Sequence, residues 1–363
     1  MRYGFVGVII TQKQMEQERQ PMKIFWEKTK EGTARVLRVF GTQPKVCLPK
    51  EICGLPLTEI GAYCFARKRR LPEHYEKTVL KAEMDTGIST DTEQGKEAET
   101  DIGIDIDIDM GAELAGDFIT EVCLPDGMEK IGNLAFYNCT ALKKIELGSR
   151  IETVGSDAFM NCRNFHQVTL RCGVEEQSGL RLILNQVSSD MEAIFRKGDR
   201  IEASVFYPEY YEQLDEIAPA HIFHRNIEGE GFRARQCFKS GVPDLTQYDG
   251  IFPKACVEES AEKLQKMACG RLRYPAGLTE EAKQSYETYV KTRKNTIIPA
   301  LIRERNLDMV SFFCENGYAD GDSMEAGVAV ASEMEWAEGV ATLMHLKQKY
   351  FAKRKERYSF EDF

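Results

Sequence analysis

Residues 131–147 are written twice. The positions Ile131, Gly132, Ala135, Phe136, Asn138, Cys139, Leu142, Ile145 and Leu147 return 23 residues later as Val154, Gly155, Ala158, Phe159, Asn161, Cys162, Phe165, Val168 and Leu170. A period in the range of about 20–30 residues excludes most closed globular designs. It describes a stacked coil in which each turn shelters the apolar face of the next.

The pattern extends backwards. Val46-Cys47-Leu48-Pro49 recurs as Val122-Cys123-Leu124-Pro125, and Ile60-Gly61-Ala62-Tyr63-Cys64-Phe65 matches 131–136 with Cys64 in the small-residue slot. Three copies are the usual minimum for a stable stack. Ile60 and Ile131 are 71 residues apart rather than 23, so the segment 67–116 reads as an insertion in the coil. It holds most of the charge: 91–117 carries ten acids and one base, against a formal net charge of −10 for the chain. That composition predicts a largely disordered insertion. It leaves the remainder near neutral, without the basic field that nucleic-acid binding needs.

Within a turn, Val122 and Leu124, Ile145 and Leu147, and Val168 and Leu170 alternate with polar residues, which predicts short strands with one buried face. The glycine after each Ile or Val is expected to serve a tight bend. The outward positions then form two rows. Lys45, Glu121, Lys144 and Gln167 make one; Cys47, Cys123, Glu146 and Thr169 make the other. Of these, Lys45, Glu121, Lys144, Glu146, Gln167 and Thr169 are the candidate partner-binding residues.

The spacing Ile-Gly-x-x-Ala-Phe-x-x-Cys-x-x-Leu-x-x-Ile-x-Leu resembles the BspA-like bacterial leucine-rich repeat family over about residues 23–172. The stretch 34–59 is similar to that family's entry hairpin and first turn. The resemblance implies a short solenoid with a parallel sheet on one face, and a partner-binding rather than a catalytic surface. Members of that family that sit on the cell surface imply an alternative, an exported or carbohydrate-binding adhesin.

Beyond Cys172 the repeat stops. Residues 180–187, 192–197 and 201–207 read as strands and 208–216 as a short helix. From Ala255 the pattern is helical, with Ala261, Leu264, Met267, Ala268 and Leu272 on one face. Thr279 is an N-cap, and 306–313 closes at Asn316-Gly317. Val310 and Phe313 return thirty residues on as Val340 and Leu343. This is similar to a degenerate ankyrin-type helix pair at about 295–350. The expected class is α/β in three parts. A leucine-rich repeat domain spans 1–175 with its insertion at 67–116, an irregular α/β module spans 176–254, and a helical domain spans 255–363.

Signals for chemistry are sparse. Asp105-x-Asp107-x-Asp109 has Met110 and Gly116 where a calcium loop needs Gly and Glu. His221 and His224 with Cys237 lack the remaining ligands of a zinc site and any third residue to orient a nucleophile. No dinucleotide or P-loop glycine motif occurs. No catalytic residue, metal ligand or cofactor is therefore assigned; an enzyme centred on 176–275 is kept as an alternative. The bases Lys347, Lys349, Lys353, Arg354, Lys355 and Arg357 read as a solvated helix end. The first ten residues make a poor signal peptide and no apolar stretch reaches membrane-spanning length. Eleven cysteines without a Cys-x-x-Cys pair fit a reduced compartment. The expectation is a cytoplasmic bacterial interaction protein with an unidentified protein partner and no nucleic acid. The sequence assigns it no oligomeric state.

Overall fold

The computed structural model describes residues 22–67, 74–81, 89–96, 112–217 and 222–351. The chain divides into two compact units, Met1–Asp244 and Leu245–Phe363.

The first unit is a coil whose successive turns each feed two sheets. Its strands are β1 (Met22–Lys28), β2 (Ala34–Gly41), β3 (Lys45–Cys47), β4 (Glu51–Ile52), β5 (Leu55–Ile60), β6 (His74–Lys81), β7 (Ser89–Lys96), β8 (Ala112–Glu113), β9 (Glu121–Cys123), β10 (Lys130–Ile131), β11 (Lys144–Leu147), β12 (Thr153–Val154), β13 (Gln167–Leu170), β14 (Met191–Lys197) and β15 (Arg200–Tyr207). One sheet runs β15-β14-β13-β11-β9-β3, with β3 to β14 parallel and β15 antiparallel. In the other, β5, β10 and β12 stack in parallel beside the β1–β2 entry hairpin.

Between the sheets, Val46, Val122, Ile145 and Val168 form one buried rung and Leu48, Leu124, Leu147 and Leu170 the next. Phe65, Phe136 and Phe159 lie face to face, with ring centroids 5.0 and 5.4 Å apart and planes within 9°. Phe165 continues the row at 5.1 Å. The cysteine of the motif has its own task. The Cys139 thiol donates to Phe65 O at 3.3 Å and the Cys162 thiol to Phe136 O at 3.0 Å, so each turn satisfies a buried carbonyl of the turn before. The motif asparagines sit at left-handed positions, Asn138 at φ 59° and Asn161 at φ 63°, which that side chain tolerates best after glycine. Asn161 also donates to Asn138 Oδ1 at 2.8 Å.

The motif glycines differ from expectation. Gly61, Gly132 and Gly155 do not have left-handed φ angles. They are needed because backbones touch: a Cβ on Gly132 would lie 2.5 Å from Ala62 N and 2.6 Å from Gly61 C.

Four expectations are corrected. The insertion is not structureless where it is described. β6 and β7 make an antiparallel hairpin that joins β1, and β8 pairs with β2, because edge strands of the entry hairpin leave backbone groups to be paired. The acidic run Asp105–Asp107–Asp109 lies outside the described residues. The boundary expected after 175 falls inside a sheet, since β14 pairs in parallel with β13 and continues the coil. Residues 180–187 are not a strand; they begin with helix α1 (Leu180–Leu184), whose Leu180, Ile183 and Leu184 are buried. Residues 208–216 are not a helix; strand β16 (Tyr211–Ile217) pairs with β17 (Ile222–Glu228). Helix α2 (Gly231–Ala234) and the β18 (Phe238–Lys239) and β19 (Val242–Pro243) ribbon follow.

Gln186, just past α1, closes the β12 side of the coil. Its amide donates to Gly155 O at 2.8 Å and accepts from Ala158 N at 2.9 Å, standing in for a further turn's backbone. Gln186→Ala is expected to lower the unit's stability by about 1–3 kcal/mol, seen as a lower urea midpoint with an unchanged slope.

The second unit is helical: α3 (Leu245–Asp249), α4 (Phe252–Glu258), α5 (Ala261–Arg273), α6 (Glu280–Arg303), α7 (Leu307–Glu315), α8 (Gly321–Glu333) and α9 (Ala337–Phe351). Thr279 caps α6 by accepting from Ala282 N, and Asn306 caps α7 by accepting from Met309 N. The thirty-residue period is present in the backbone. Arg305 and Glu335 are both left-handed, and Asn306 N donates to Leu301 O as Trp336 N donates to Ala331 O. α6 packs on α8 and α7 on α9, so the two helix pairs stack. Arg271 is fully buried in a forked pair with Asp249, at 2.7 and 2.8 Å, and Tyr286 donates to the same carboxylate at 2.9 Å.

Candidate functional site

Strand register places the expected rows side by side. Lys45, Glu121, Lys144 and Gln167 are cross-strand neighbours on β3, β9, β11 and β13, and Glu192 on β14 extends the row. Cys47, Cys123, Glu146 and Thr169 form the second row, which Ile194 extends. The residues between them, Val46, Val122, Ile145, Val168 and Ala193, are buried, so both rows point away from the core. Neighbours along a row are about 4.8 Å apart. Lys45 and Glu121 make a long ion pair at 3.9 Å between side chains 57% and 38% exposed, a contact of little energetic weight.

Arg171 spans the second row. Its Nε donates to Asp126 Oδ1 at 2.7 Å, Nη1 to Glu146 Oε1 at 2.9 Å, and Nη2 to Leu124 O. Nη1 also lies 3.5 Å from Cys123 Sγ. Burial opposes its charge, but the bonds to Glu146 and Asp126 outweigh burial and raise its pKa. Arg171 and Asp126 are absent from the residues expected from sequence. The clue was the repeated Val-Cys-Leu-Pro, which ends next to Asp126.

Six copies of the pattern in one family model, that of the BspA type leucine rich repeat region, match residues 114–179. Residues 114–179 are a BspA-type leucine-rich repeat region. Solved structures that match include a T. pallidum leucine rich repeat protein, at 17% identity over 40% of this chain and 49% of that one, with a TM-score of 0.22. Another is a leucine rich cell surface protein from Faecalibacterium prausnitzii, at 16% identity over 40% of this chain and 35% of that one, with a TM-score of 0.23. The chain thus spans half or less of the length of these proteins. No curated protein matches it.

The opposite face of the leucine-rich region holds a shallow depression of about 500 Å³. Glu27, Arg35, Glu59 and Lys130 line it, with the Gly132 and Gly155 backbones on its floor. The charges are matched inside the group. Arg35 bridges Glu27 at 2.6 Å and Glu59 at 2.5 Å, and Lys130 reaches Glu59 at 2.9 Å. Burial lowers the pKa of Arg35, but its bonds to Glu59 and Glu27 prevail and raise it. The network ties β1, β2, β5 and β10 together across turns. It is an ionic strap over the stack, with its donors already committed to protein carboxylates.

The remaining candidates do not assemble. Cys237 is buried and its thiol donates to Arg233 O at 3.3 Å. His224 lies on β17 opposite Asp215, and His221 falls outside the described residues. Among the described residues, no group of three or more His, Cys, Asp or Glu is placed to hold a metal ion, and no helix is long and apolar enough to cross a membrane. Lys347 pairs with Glu325 at 3.0 Å and Lys349 lies 4.6 Å from the Tyr350 ring. The bases beyond Phe351 lie outside the described residues.

Proposed function

We propose that the chain is a non-enzymatic interaction protein that binds a protein partner through the leucine-rich sheet face. The observation that carries this reading is the row Lys45–Glu121–Lys144–Gln167–Glu192, five registered outward positions on consecutive parallel strands. Lys45, Glu121 and Lys144 alternate in sign and Glu192 is acidic beyond the uncharged Gln167, which fits a partner segment lying along the solenoid and read by polar contacts at successive rungs. The inner row, with Glu146 and Thr169, adds a second set of contacts. The stacked helix pairs of α6–α9 are the natural second surface, and their thirty-residue period supports an ankyrin-like repeat.

The test is a photo-crosslinking amino acid at position 167 of the full chain in native lysate, with the captured protein then purified and titrated. Lys144→Glu and Glu146→Lys, made singly, are each expected to weaken its binding by about tenfold with the fold intact by Trp26 fluorescence. Unchanged affinity for both variants would remove the sheet face from the binding site.

A cytoplasmic address is part of the proposal. It is supported by the thiols of Cys139, Cys162 and Cys237, which work as hydrogen-bond donors only while reduced. Cell fractionation checks this, and protein on the cell exterior would favour the adhesin reading instead.

A further inference from the structure

Cys47 and Cys123 are register partners on adjacent parallel strands, so their side chains leave the sheet as immediate neighbours. Cys47 is exposed and Cys123 half-buried, unlike Cys64, Cys139 and Cys162, which the core encloses. β3 is the edge strand of its sheet. We propose that Cys47 and Cys123 are a reversible thiol-modification site, oxidised by small-molecule disulfides to a cross-strand disulfide that ties β3 to β9.

Geometry supports both formation and reversal. In-register strands set Cα atoms about 4.8 Å apart, inside the range of about 4.4–6.8 Å that a disulfide spans. The preferred Cβ separation of about 3.8 Å is shorter than the strand spacing, so the bond forms under strain and is easily reduced. Both side chains leave the same face of the sheet, so no rotation of the backbone is needed.

The surroundings assign the roles. The neighbouring Cys123 thiol holds the Cys47 thiol down at about 7 although burial opposes it. The Lys45 ammonium and the Arg171 guanidinium also favour the Cys47 thiolate, and Glu146 disfavours it. The neighbouring Cys47 thiol, followed by burial, raises Cys123, with Arg171 opposing. Cys47, the exposed member of the pair on the edge strand, is the attacking thiol and the half-buried Cys123 the resolving one. The Cys47 thiolate, its proton lost to solvent, attacks one sulfur of the small disulfide; a mixed disulfide forms and the other half leaves as a thiolate. Cys123 then loses its proton to solvent and attacks Cys47 Sγ, expelling the second half. Solvent protons return to the two released thiolates. Two protein thiols are oxidised, one small disulfide is reduced to two thiols, and the balance closes.

The experiment uses the reduced full chain with oxidised glutathione, an N-ethylmaleimide quench, and mass spectrometry of an unreduced digest. Expected are a peptide pair joined through Cys47 and Cys123, its loss on adding dithiothreitol, and a glutathione adduct held on Cys47 in Cys123→Ser. At pH 7, Cys47 should react with iodoacetamide at least about fivefold faster than Cys256, once greater thiolate fraction is set against lower nucleophilicity. Trp26 fluorescence checks that the variant is folded. Linkage of Cys47 to Cys53 instead, or glutathione on Cys256 while Cys47 and Cys123 both carry maleimide, would overturn the proposal.

Discussion

Phe136→Ala is expected to cost about 3–5 kcal/mol, a large part of the stability of a domain this size. Phe136 is fully buried and sits between Phe65 and Phe159 with its ring nearly parallel to both. Truncation leaves a cavity whose walls belong to adjacent turns held by their own strands, so they cannot close on it. It also deletes two stacked pairs, each worth about 0.5–1.5 kcal/mol beyond burial. Because each turn contacts only its neighbours, the damage is to two interfaces of a quasi-linear array. The chain has two tryptophans, and Trp26 lies in the first unit and Trp336 in the second. In a Trp336→Phe background, urea unfolding followed at Trp26 therefore reports the solenoid alone. Phe159→Ala should behave similarly. The double variant should fall short of the sum by about 1 kcal/mol, since both singles remove the shared pair. A loss below about 1 kcal/mol for either single change, or strict additivity, would contradict a continuous phenyl row.

How much of this was legible in the sequence depends on distance along the chain. The Glu121–Gln167 and Cys123–Thr169 stretches of the rows followed from the 23-residue offset, because a solenoid converts sequence period directly into strand register, and Lys45 and Cys47 joined them across the insertion through the repeated Val-Cys-Leu-Pro. The cap Thr279 was readable because an N-cap reaches only two or three residues ahead; the Asn306 cap was not singled out. Glu192 was not recognised as the row's next member, because it stands 25 residues after Gln167 and the Gly-x-x-Ala-Phe signature is missing between them. In its place the chain puts α1, where Leu180, Leu182, Ile183 and Leu184 make a short apolar run that periodicity cannot distinguish from a buried strand. Residues 211–217 become a strand through pairing with 222–228, a tertiary decision that local propensity does not encode. Arg171 was invisible for a related reason. Its partners Asp126 and Glu146 lie 45 and 25 residues away, close to two and one turns of the coil. The glycines were found but explained wrongly: their spacing marks where turns touch, and nothing in a single turn says so.

That contact gives the other large effect. Gly132→Ala is expected to cost about 3 kcal/mol or more, although it adds only one methyl group. The new Cβ would lie 2.5 Å from Ala62 N and 2.6 Å from Gly61 C, both backbone atoms of the preceding turn. No rotamer change relieves a clash between a Cβ and a backbone, so the turns must separate. Separation lengthens the bond from Gly132 N to Ile60 O, now 2.8 Å, and strains the β5–β10 pairing on the same rung. The glycine's φ is not left-handed, so the usual penalty for a side chain at positive φ is absent and the whole effect comes from the stacking distance. Gly127→Ala is the control: its Cβ would also face the preceding turn, but its nearest neighbour there, Leu57 O, lies at 3.9 Å, an ordinary contact. Urea midpoints read at Trp26 should fall steeply for Gly132→Ala and change little for Gly127→Ala. Equal small shifts in the two variants would mean that the turns have room between them, and the close-stacked coil would have to be given up.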